Sequence, residues 1–417
     1  MNVIPLLQRR VMPTLRVSTA MIGLAVPIST ALDNVLLAVV LLGLFLNAPA
    51  LAQIAVRNPV ARAALLLFGM LSLAMFYGQT PMRDAVDILG KYIDLAFVPI
   101  FMLMFEASKT RAWAERAFIG AMGLTLFMSY LLGFHVIEKH EWMSVFAQTT
   151  NPVIFHSHIT QNNMMAYVAF LALLKCRDAL TTLPRAAWGV FAALAIANVL
   201  FMVQGRTGYI ILLVLLGWFA WTSLARRFLV RGKSWGWKQG STVLVSGLIL
   251  VTATYLASPR LHDRVGLMEH EFQAWHPNLG NELSSTGQRL DFYYNTLQII
   301  EHNWLYGVGT GGFTNAFAQQ IQGTNALLTH NPHNEYLLIT VQTGIVGLAL
   351  LLYLFYTEWR VAPLLESSYT QDAARGLVLA YIVNCLFNSA LHDHADGLFF
   401  AFMSALWFST LRKRKYE

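Results

Sequence analysis

Long apolar runs separated by short polar segments dominate the chain. A helix needs ~20 residues to span a bilayer. Runs of that order fall at about 60–77, 84–106, 115–137, 159–175, 186–203, 207–223 and 241–257, then, after one long polar interval, at 334–356, 375–391 and 396–411. The first run, Val17 to Leu46, is too long for one ordinary helix and is interrupted by Pro27 and by Asp33-Asn34. Arg9, Arg10 and Arg16 precede it, and Arg57 and Arg62 follow it. Basic loops belong on the cytoplasmic side, so two crossings are expected there, as a hairpin of short helices. The pattern predicts an all-α polytopic membrane protein of about twelve spans.

The same rule orients the remaining loops. Lys109, Arg111 and Arg116, then Lys175, Arg177 and Arg185, then Arg226, Arg227, Arg231, Lys233 and Lys238 fall in alternate loops, as does the tail Arg412 to Lys415. All come out cytoplasmic, with both termini inside. Segments 78–83, 138–158, 204–206, 258–333 and 392–395 are then expected on the outer face. Three regions result: nine spans in 1–257, one large outer loop in 258–333, and three spans with a basic tail in 334–417. No internal repeat or low-complexity tract interrupts them. Within the loop, Leu290, Tyr293, Tyr294, Leu297, Ile299 and Ile300 recur close to helical spacing behind Ser284, Ser285 and Thr286 as caps. A helix over Leu283 to His302, lying against the membrane face, is expected.

Composition supports the membrane class. The chain is 56% hydrophobic and 12% charged, against the roughly 25% charged of soluble proteins, which excludes a soluble globular fold. A formal charge of +7 would suit nucleic acid, but the Lys and Arg are scattered through short loops, a pattern that reports membrane orientation. No nucleic-acid partner is expected. The opening MNVIPLLQRRVMPTLR has no small-residue cleavage site before the first long run, so no cleaved signal peptide is expected. Cys176 lies in a short basic loop and Cys385 inside a span, which argues against a disulfide between them.

Candidate chemistry collects on the outer side. Arg206, in QGRTGY, opens a helix at the outer end of a span, where its side chain and the helix's free N–H groups can address one anion. A snorkelling interfacial arginine has the same appearance, although this one lies on the side that the positive-inside rule disfavours. Arg289 and Arg264 come from the facing loop. Guanidinium groups bind phosphate oxygens bidentately and stay charged, as an anionic leaving group in a low-dielectric site requires. His333 starts the next helix, whose positive end favours a neutral, proton-accepting imidazole. A histidine that merely caps the helix looks similar. His330 is the less favoured neighbour. Asn334 either orients His333 or caps the helix, and Tyr336 either packs or binds.

The run from Arg289 through Gly307-Val308-Gly309-Thr310-Gly311-Gly312-Phe313 to His333-Asn334-Glu335-Tyr336-Leu337 and Gln342-Thr343-Gly344-Ile345-Val346-Gly347 resembles the signature region of the bacterial O-antigen ligase and polymerase superfamily. So does the order of elements: many spans, an Arg opening a late helix, one large periplasmic loop, then a histidine opening the next helix. The ligase branch is the closer fit. Two positions depart from the pattern: Gln288 separates Gly287 from Arg289, where the family often has Gly directly before Arg, and Asn303-Trp304 stands where Pro is common.

The resemblance implies a GT-C-like, metal-independent, inverting glycosyltransferase without a cofactor. Such ligases move a glycan from undecaprenyl diphosphate to a sugar hydroxyl of lipid A-core on the periplasmic face of the inner membrane, completing lipopolysaccharide. On that reading His333, Arg206 and Arg289 form the catalytic set. Arg264, Asn334, Tyr336 and His330 face the substrates. The partners are the undecaprenyl-diphosphate-linked O-antigen, the lipid A-core acceptor and the membrane lipid. An O-antigen polymerase and a protein oligosaccharyltransferase are alternatives within the superfamily.

Some motifs remain outside that set. Asp87, Lys91 and Asp94 stand at helical spacings of four and three and are expected to pair on one face, either as an ion path in a membrane transporter, the alternative of another class, or as mutual neutralisation within the bundle. Gln161, Asn162 and Asn163 either line a sugar cavity or join helices by hydrogen bonds. The Gly307 to Gly312 turn lacks the Lys and Ser/Thr of a nucleotide loop, so a sharp turn between loop helix and surface is expected. His392-Asp393-His394-Ala395-Asp396 offers metal-ligand residue types, but four ligands within five residues rarely close around one ion. This segment is expected to hydrogen-bond the large loop or the donor.

Overall fold

The computed structural model describes residues 3–44, 47–78, 80–230, 269–278 and 285–411, with isolated positions 240, 247 and 266. The expected span at 241–257 apart from residue 247, the candidate Arg264, and Arg412 to Lys415 lie outside the described residues. Among the described residues the regular elements are helices, with one isolated bridge between Gln148 and Asn151. They are α1 (Val3–Ala25), α2 (Thr30–Leu44), α3 (Ala48–Arg57), α4 (Pro59–Ala74), α5 (Met82–Gly90), α6 (Asp94–Phe105), α7 (Ser108–Gly133) and α8 (His158–Asp178). There follow α9 (Thr182–Ala197), α10 (Arg206–Val230), α11 (Ser285–His302), α12 (Phe313–Gln320), α13 (Glu335–Val361), α14 (Ser368–Phe387) and α15 (His394–Phe408). Five helices among the described residues are long and apolar enough to cross a membrane: 82–105, 108–133, 182–202, 206–228 and 335–364. The bent pair α3–α4 adds a sixth.

Local sequence explains the breaks. Asn58-Pro59 turns α3 into α4 through 97°, because Pro59 has no N–H to continue the first ladder and the Asn58 side chain accepts from Val60 N and Ala61 N to start the second. Pro27 lies in the turn between α1 and α2, which pack on each other as the expected hairpin requires. The expected pairing of Asp87, Lys91 and Asp94 does not form. Gly90 ends α5 and Lys91 to Ile93 make a turn, so the helical spacing is lost; Asp87 and Lys91 are exposed while Asp94 is buried.

Helices α6, α8 and α15 are buried nearly all round and form the centre. An all-round apolar helix belongs in such a core. Helices α8 and α10 pack side by side and run in the same direction. Near their starts, Asn162 lies so close to Gly205 and Gly208 that a side-chain carbon at either glycine would come within 2.5 Å of it. Near their ends, Arg177 Nη1 donates to Thr222 Oγ1 at 3.3 Å. With 21 residues in α8, the two ends are about 30 Å apart, the thickness of a hydrocarbon core. One end carries His158 and Arg206, the other Lys175, Arg177 and Arg226.

Helix α13 is broken at Gly344, whose φ of 67° and ψ of −163° end one ladder before another begins. The groups freed by the break are met from outside. Val308 N donates to the Val341 carbonyl at 2.8 Å, Gly309 N to the Gln342 carbonyl at 2.9 Å, and Ile345 N to the Trp304 carbonyl at 2.8 Å. Thr310 reaches across to α4, with N to the Ala74 carbonyl at 3.2 Å and Oγ1 to the Leu71 carbonyl at 2.6 Å. A Cβ on Gly309 would lie 2.4 Å from Gly78 Cα, and one on Gly344 would lie 2.1 Å from the Leu305 carbonyl oxygen. The glycine run is therefore a wedge between α4 and α13, where the sequence suggested a turn towards the surface. Its amides at 308 to 311 are spent on protein acceptors and do not form an anion cradle.

Candidate active site

The site forms where α11 crosses the starts of α8, α10 and α13. Thr286, Arg289 and Tyr293 stand at i, i+3 and i+7 on α11 and so share one stripe. Arg206, the first residue of α10, donates from Nη1 to Thr286 Oγ1 at 3.1 Å. Arg289, one turn along, is half-buried, and loss of water, with a smaller contribution from the nearby charge of Arg206, holds its pKa below the ordinary value. Neither arginine forms an ion pair with a carboxylate among the described residues. Two cations are thus gathered without a carboxylate counter-ion among the described residues.

Next along the stripe, the Tyr293 hydroxyl donates to the His333 carbonyl at 3.2 Å. The His333 ring stacks on Phe292 with centroids 6.2 Å apart. Partial burial lowers the His333 pKa, and the Arg289 guanidinium lowers it further, so the imidazole is neutral at pH 7 and can accept a proton. The backbone at His333 has a φ of 55°, a left-handed conformation that costs a non-glycine residue about 1–2 kcal/mol. Asn331 holds it there: Asn331 Oδ1 accepts from His333 N at 2.8 Å and from Ser389 Oγ at 2.6 Å. Strain that the surroundings impose clusters at functional sites.

The neighbouring candidates divide by where their side chains go. Asn334 caps α13, accepting from Leu337 N at 3.0 Å while Nδ2 donates to the Leu386 carbonyl at 2.9 Å. Tyr336 turns its hydroxyl to the Ile382 carbonyl at 3.0 Å, within the helix packing. His330 is exposed, with Nδ1 3.3 Å from Thr314 Oγ1. The geometry therefore brings Arg206, Arg289, His333 and Asn334 together, and directs Tyr336 and His330 elsewhere.

Sequence reading missed His158, Asn331 and the role of Tyr293. His158 opens α8 behind the Ser157 cap and lies within electrostatic reach of Arg289. A histidine at the outer start of a span was the available signal for it, the same one that singled out His333. Tyr293 was legible as the residue one turn beyond Arg289. Asn331 carried no signal, because its partners are set by the loop's path.

Buried polar groups brace this outer end. Glu335 is fully buried; its carboxylate accepts from Tyr92 OH at 2.9 Å, Leu391 N at 2.8 Å and His392 N at 3.3 Å. Asp393 caps α15, and His394 Nε2 lies 3.1 Å from Asp33 Oδ1. Asp396 accepts from Thr160 Oγ1 at 2.9 Å and Asn163 Nδ2 at 2.6 Å. Gln161 Oε1 accepts from Ile154 N at 2.8 Å. The asparagine and aspartate motifs thus join helices to one another. Among the described residues no group of three or more His, Cys, Asp or Glu side chains is placed to hold a metal ion.

A bundle of apolar helices, several of them long enough to cross a bilayer, with two arginines and a histidine gathered at one end, fits a multi-pass membrane protein. Residues 191–352, which contain Arg206, Arg289 and His333, match the family model described as O-antigen ligase. The match covers less than half of the chain and supports membership of the O-antigen ligase/polymerase superfamily. No curated protein matches it.

Proposed function

We propose that the chain is an O-antigen ligase of the inner membrane, with the arginine–histidine cluster on the periplasmic face and both termini in the cytoplasm. It transfers a glycan from undecaprenyl diphosphate to a sugar hydroxyl of lipid A-core with inversion. The observation that carries this reading is the pair Arg206 and Arg289, held together on α10 and α11 beside His333 without a carboxylate partner among the described residues. Placing like charges side by side is costly, and a bound lipid diphosphate offsets that cost.

The reaction is one displacement. The acceptor hydroxyl attacks the anomeric carbon of the first glycan sugar as His333 takes its proton. The bond from that carbon to the diphosphate oxygen breaks, and undecaprenyl diphosphate leaves with the electron pair. Arg206 and Arg289 stabilise the charge that develops on its oxygens, an arrangement of fixed charge that typically dominates such catalysis. Tyr293 and Asn331 fix the strained backbone that aims His333.

Deleting the gene separates the ligase from its relatives. Ligase loss leaves full-length chains on the carrier lipid and none on lipid A-core, whereas polymerase loss leaves single repeats on core. Core carrying only single repeats after deletion assigns the polymerase activity instead.

A further inference from the structure

At the end of the bundle opposite the arginine–histidine cluster, helices α7, α8 and α9, with Tyr369 of α14, line an open cavity of about 650 Å³. Arg116, Lys175, Asp178, Trp188 and Tyr369 line it, with Gly120 in its wall. The charges around it are unevenly matched. Lys175 Nζ lies 2.6 Å from Glu115 Oε1 and 4.6 Å from the centroid of the Tyr369 ring. Asp178, the one carboxylate lining the cavity, is already engaged: its Oδ1 lies 2.8 Å from Arg177 Nε and 3.5 Å from Arg226 Nη1. Arg116 is exposed and has no ion-pair partner among the described residues.

The rim is suited to lipid. Leu180 is 97% exposed and Leu183 79% exposed, both beside the cavity. The Trp188 ring lies 5.6 Å from Lys175 Nζ, an aromatic at the depth where Trp and Tyr concentrate in membrane proteins. Arg116 and Lys175 stand about one hydrocarbon thickness from His158, since Lys175 and His158 occupy opposite ends of α8. An unmatched cation, a second cation behind it, an aromatic wall and exposed leucines together fit a phosphate head group with its acyl chains alongside. Basic pockets between membrane helices take anionic lipids in this way.

We propose that this cavity binds the phosphate head group of an anionic phospholipid in the leaflet opposite the arginine–histidine cluster. Arg116 is the primary phosphate contact, Lys175 lies behind it, and Trp188 flanks the glycerol backbone. The occupant holds the ends of α7, α8 and α9 together and is distinct from the glycan carrier, which belongs at the other end of α8.

The test is native mass spectrometry of the purified full-length protein titrated with phosphatidylglycerol, with phosphatidylcholine and inorganic phosphate as parallel arms. Wild type retains phosphatidylglycerol and sheds phosphatidylcholine. Arg116→Gln weakens retention about fivefold, the effect of one interfacial cation. Gly120→Phe fills the cavity: a Cβ at this position meets nothing within 4 Å, so the variant keeps the wild-type melting temperature while losing the lipid. Arg57→Gln, a basic change outside the cavity, leaves retention unchanged. Equal retention of phosphatidylcholine, wild-type retention by both cavity variants, or full competition by millimolar inorganic phosphate overturns the assignment to a lipid. None of these outcomes alters glycan transfer at the opposite end, so the two readings fail separately.

Discussion

Asn331 offers a sharp test of how His333 is held. Replacing it with alanine removes the acceptor for His333 N at 2.8 Å and for Ser389 Oγ at 2.6 Å. Each bond contributes about 1 kcal/mol, and together they offset the 1–2 kcal/mol or so of left-handed backbone at His333. Without them that residue relaxes towards an ordinary φ and the ring leaves its stack on Phe292. If the full 2 kcal/mol or so appears in the transition state, the rate falls about 30-fold. Arg206 and Arg289 are untouched, so the loss falls on kcat while KM for the lipid-linked donor stays close to wild type. Asn331→Asp keeps an acceptor oxygen and retains transfer within about threefold above pH 8. The assay is transfer to lipid A-core in proteoliposomes, with the melting temperature as a check on folding. A folded Asn331→Ala enzyme with kcat within twofold of wild type refutes the argument that the strained backbone positions the base.

Further expected outcomes concern the charges and the wedge. His333→Ala lowers kcat by about 10² to 10⁴, the usual contribution of a general base, measured in the same assay. The base works as the neutral imidazole and its pKa is held below 6.5, so transfer is complete above that pH and falls as the pH drops through the lowered pKa. Arg289→Gln removes a cation that opposes protonation, so the acid limb of the pH profile moves to higher pH; a limb that stays fixed contradicts the coupling. Arg206→Lys keeps charge but loses the bidentate fork, and KM for the donor rises even though net charge is unchanged. Gly309→Val places a side chain 2.4 Å from Gly78 Cα at a φ of 90° and is expected to cost more than about 3 kcal/mol of stability, read as a large drop in melting temperature. Gly323→Ala, also at positive φ but with open space around it, costs about 1 kcal/mol, which separates steric clash from backbone strain.

Much of the fold is legible in the sequence because helix spacing and apolar length are local properties. The run at 207–223 falls within α10, that at 115–137 overlaps α7 but overshoots its end at Gly133, and the polar loop pattern from Leu283 to His302 corresponds to α11. Arg206 and His333 stand out because a charged or titratable residue at, or just before, the start of an apolar helix is conspicuous; His333 lies one residue before the Asn334 cap of α13. What escapes is everything set by distant pairing. The break at Gly344 exists only because Trp304, Val308 and Gly309, more than thirty residues earlier, meet the groups it frees. Asp94 has the right spacing to pair with Lys91, yet the turn at 91–93 sends it inward towards His394, 3.8 Å from its Oδ2. His158 joins the arginines only because α8 and α10 run parallel, which no local pattern announces. Arg264, expected from its place on the outer loop, lies outside the described residues.

The most direct test of the central claim is transfer by purified protein in proteoliposomes from a defined undecaprenyl diphosphate glycan to lipid A-core, comparing wild type with the Arg206→Ala/Arg289→Ala double variant. The account predicts that wild type yields glycosylated lipid A-core with an inverted anomeric linkage and stoichiometric undecaprenyl diphosphate. The folded double variant should show at least a thousandfold loss, since fixed charge at a leaving group is worth several kcal/mol. Retention of the anomeric configuration, or transfer by the double variant at the wild-type rate, contradicts it.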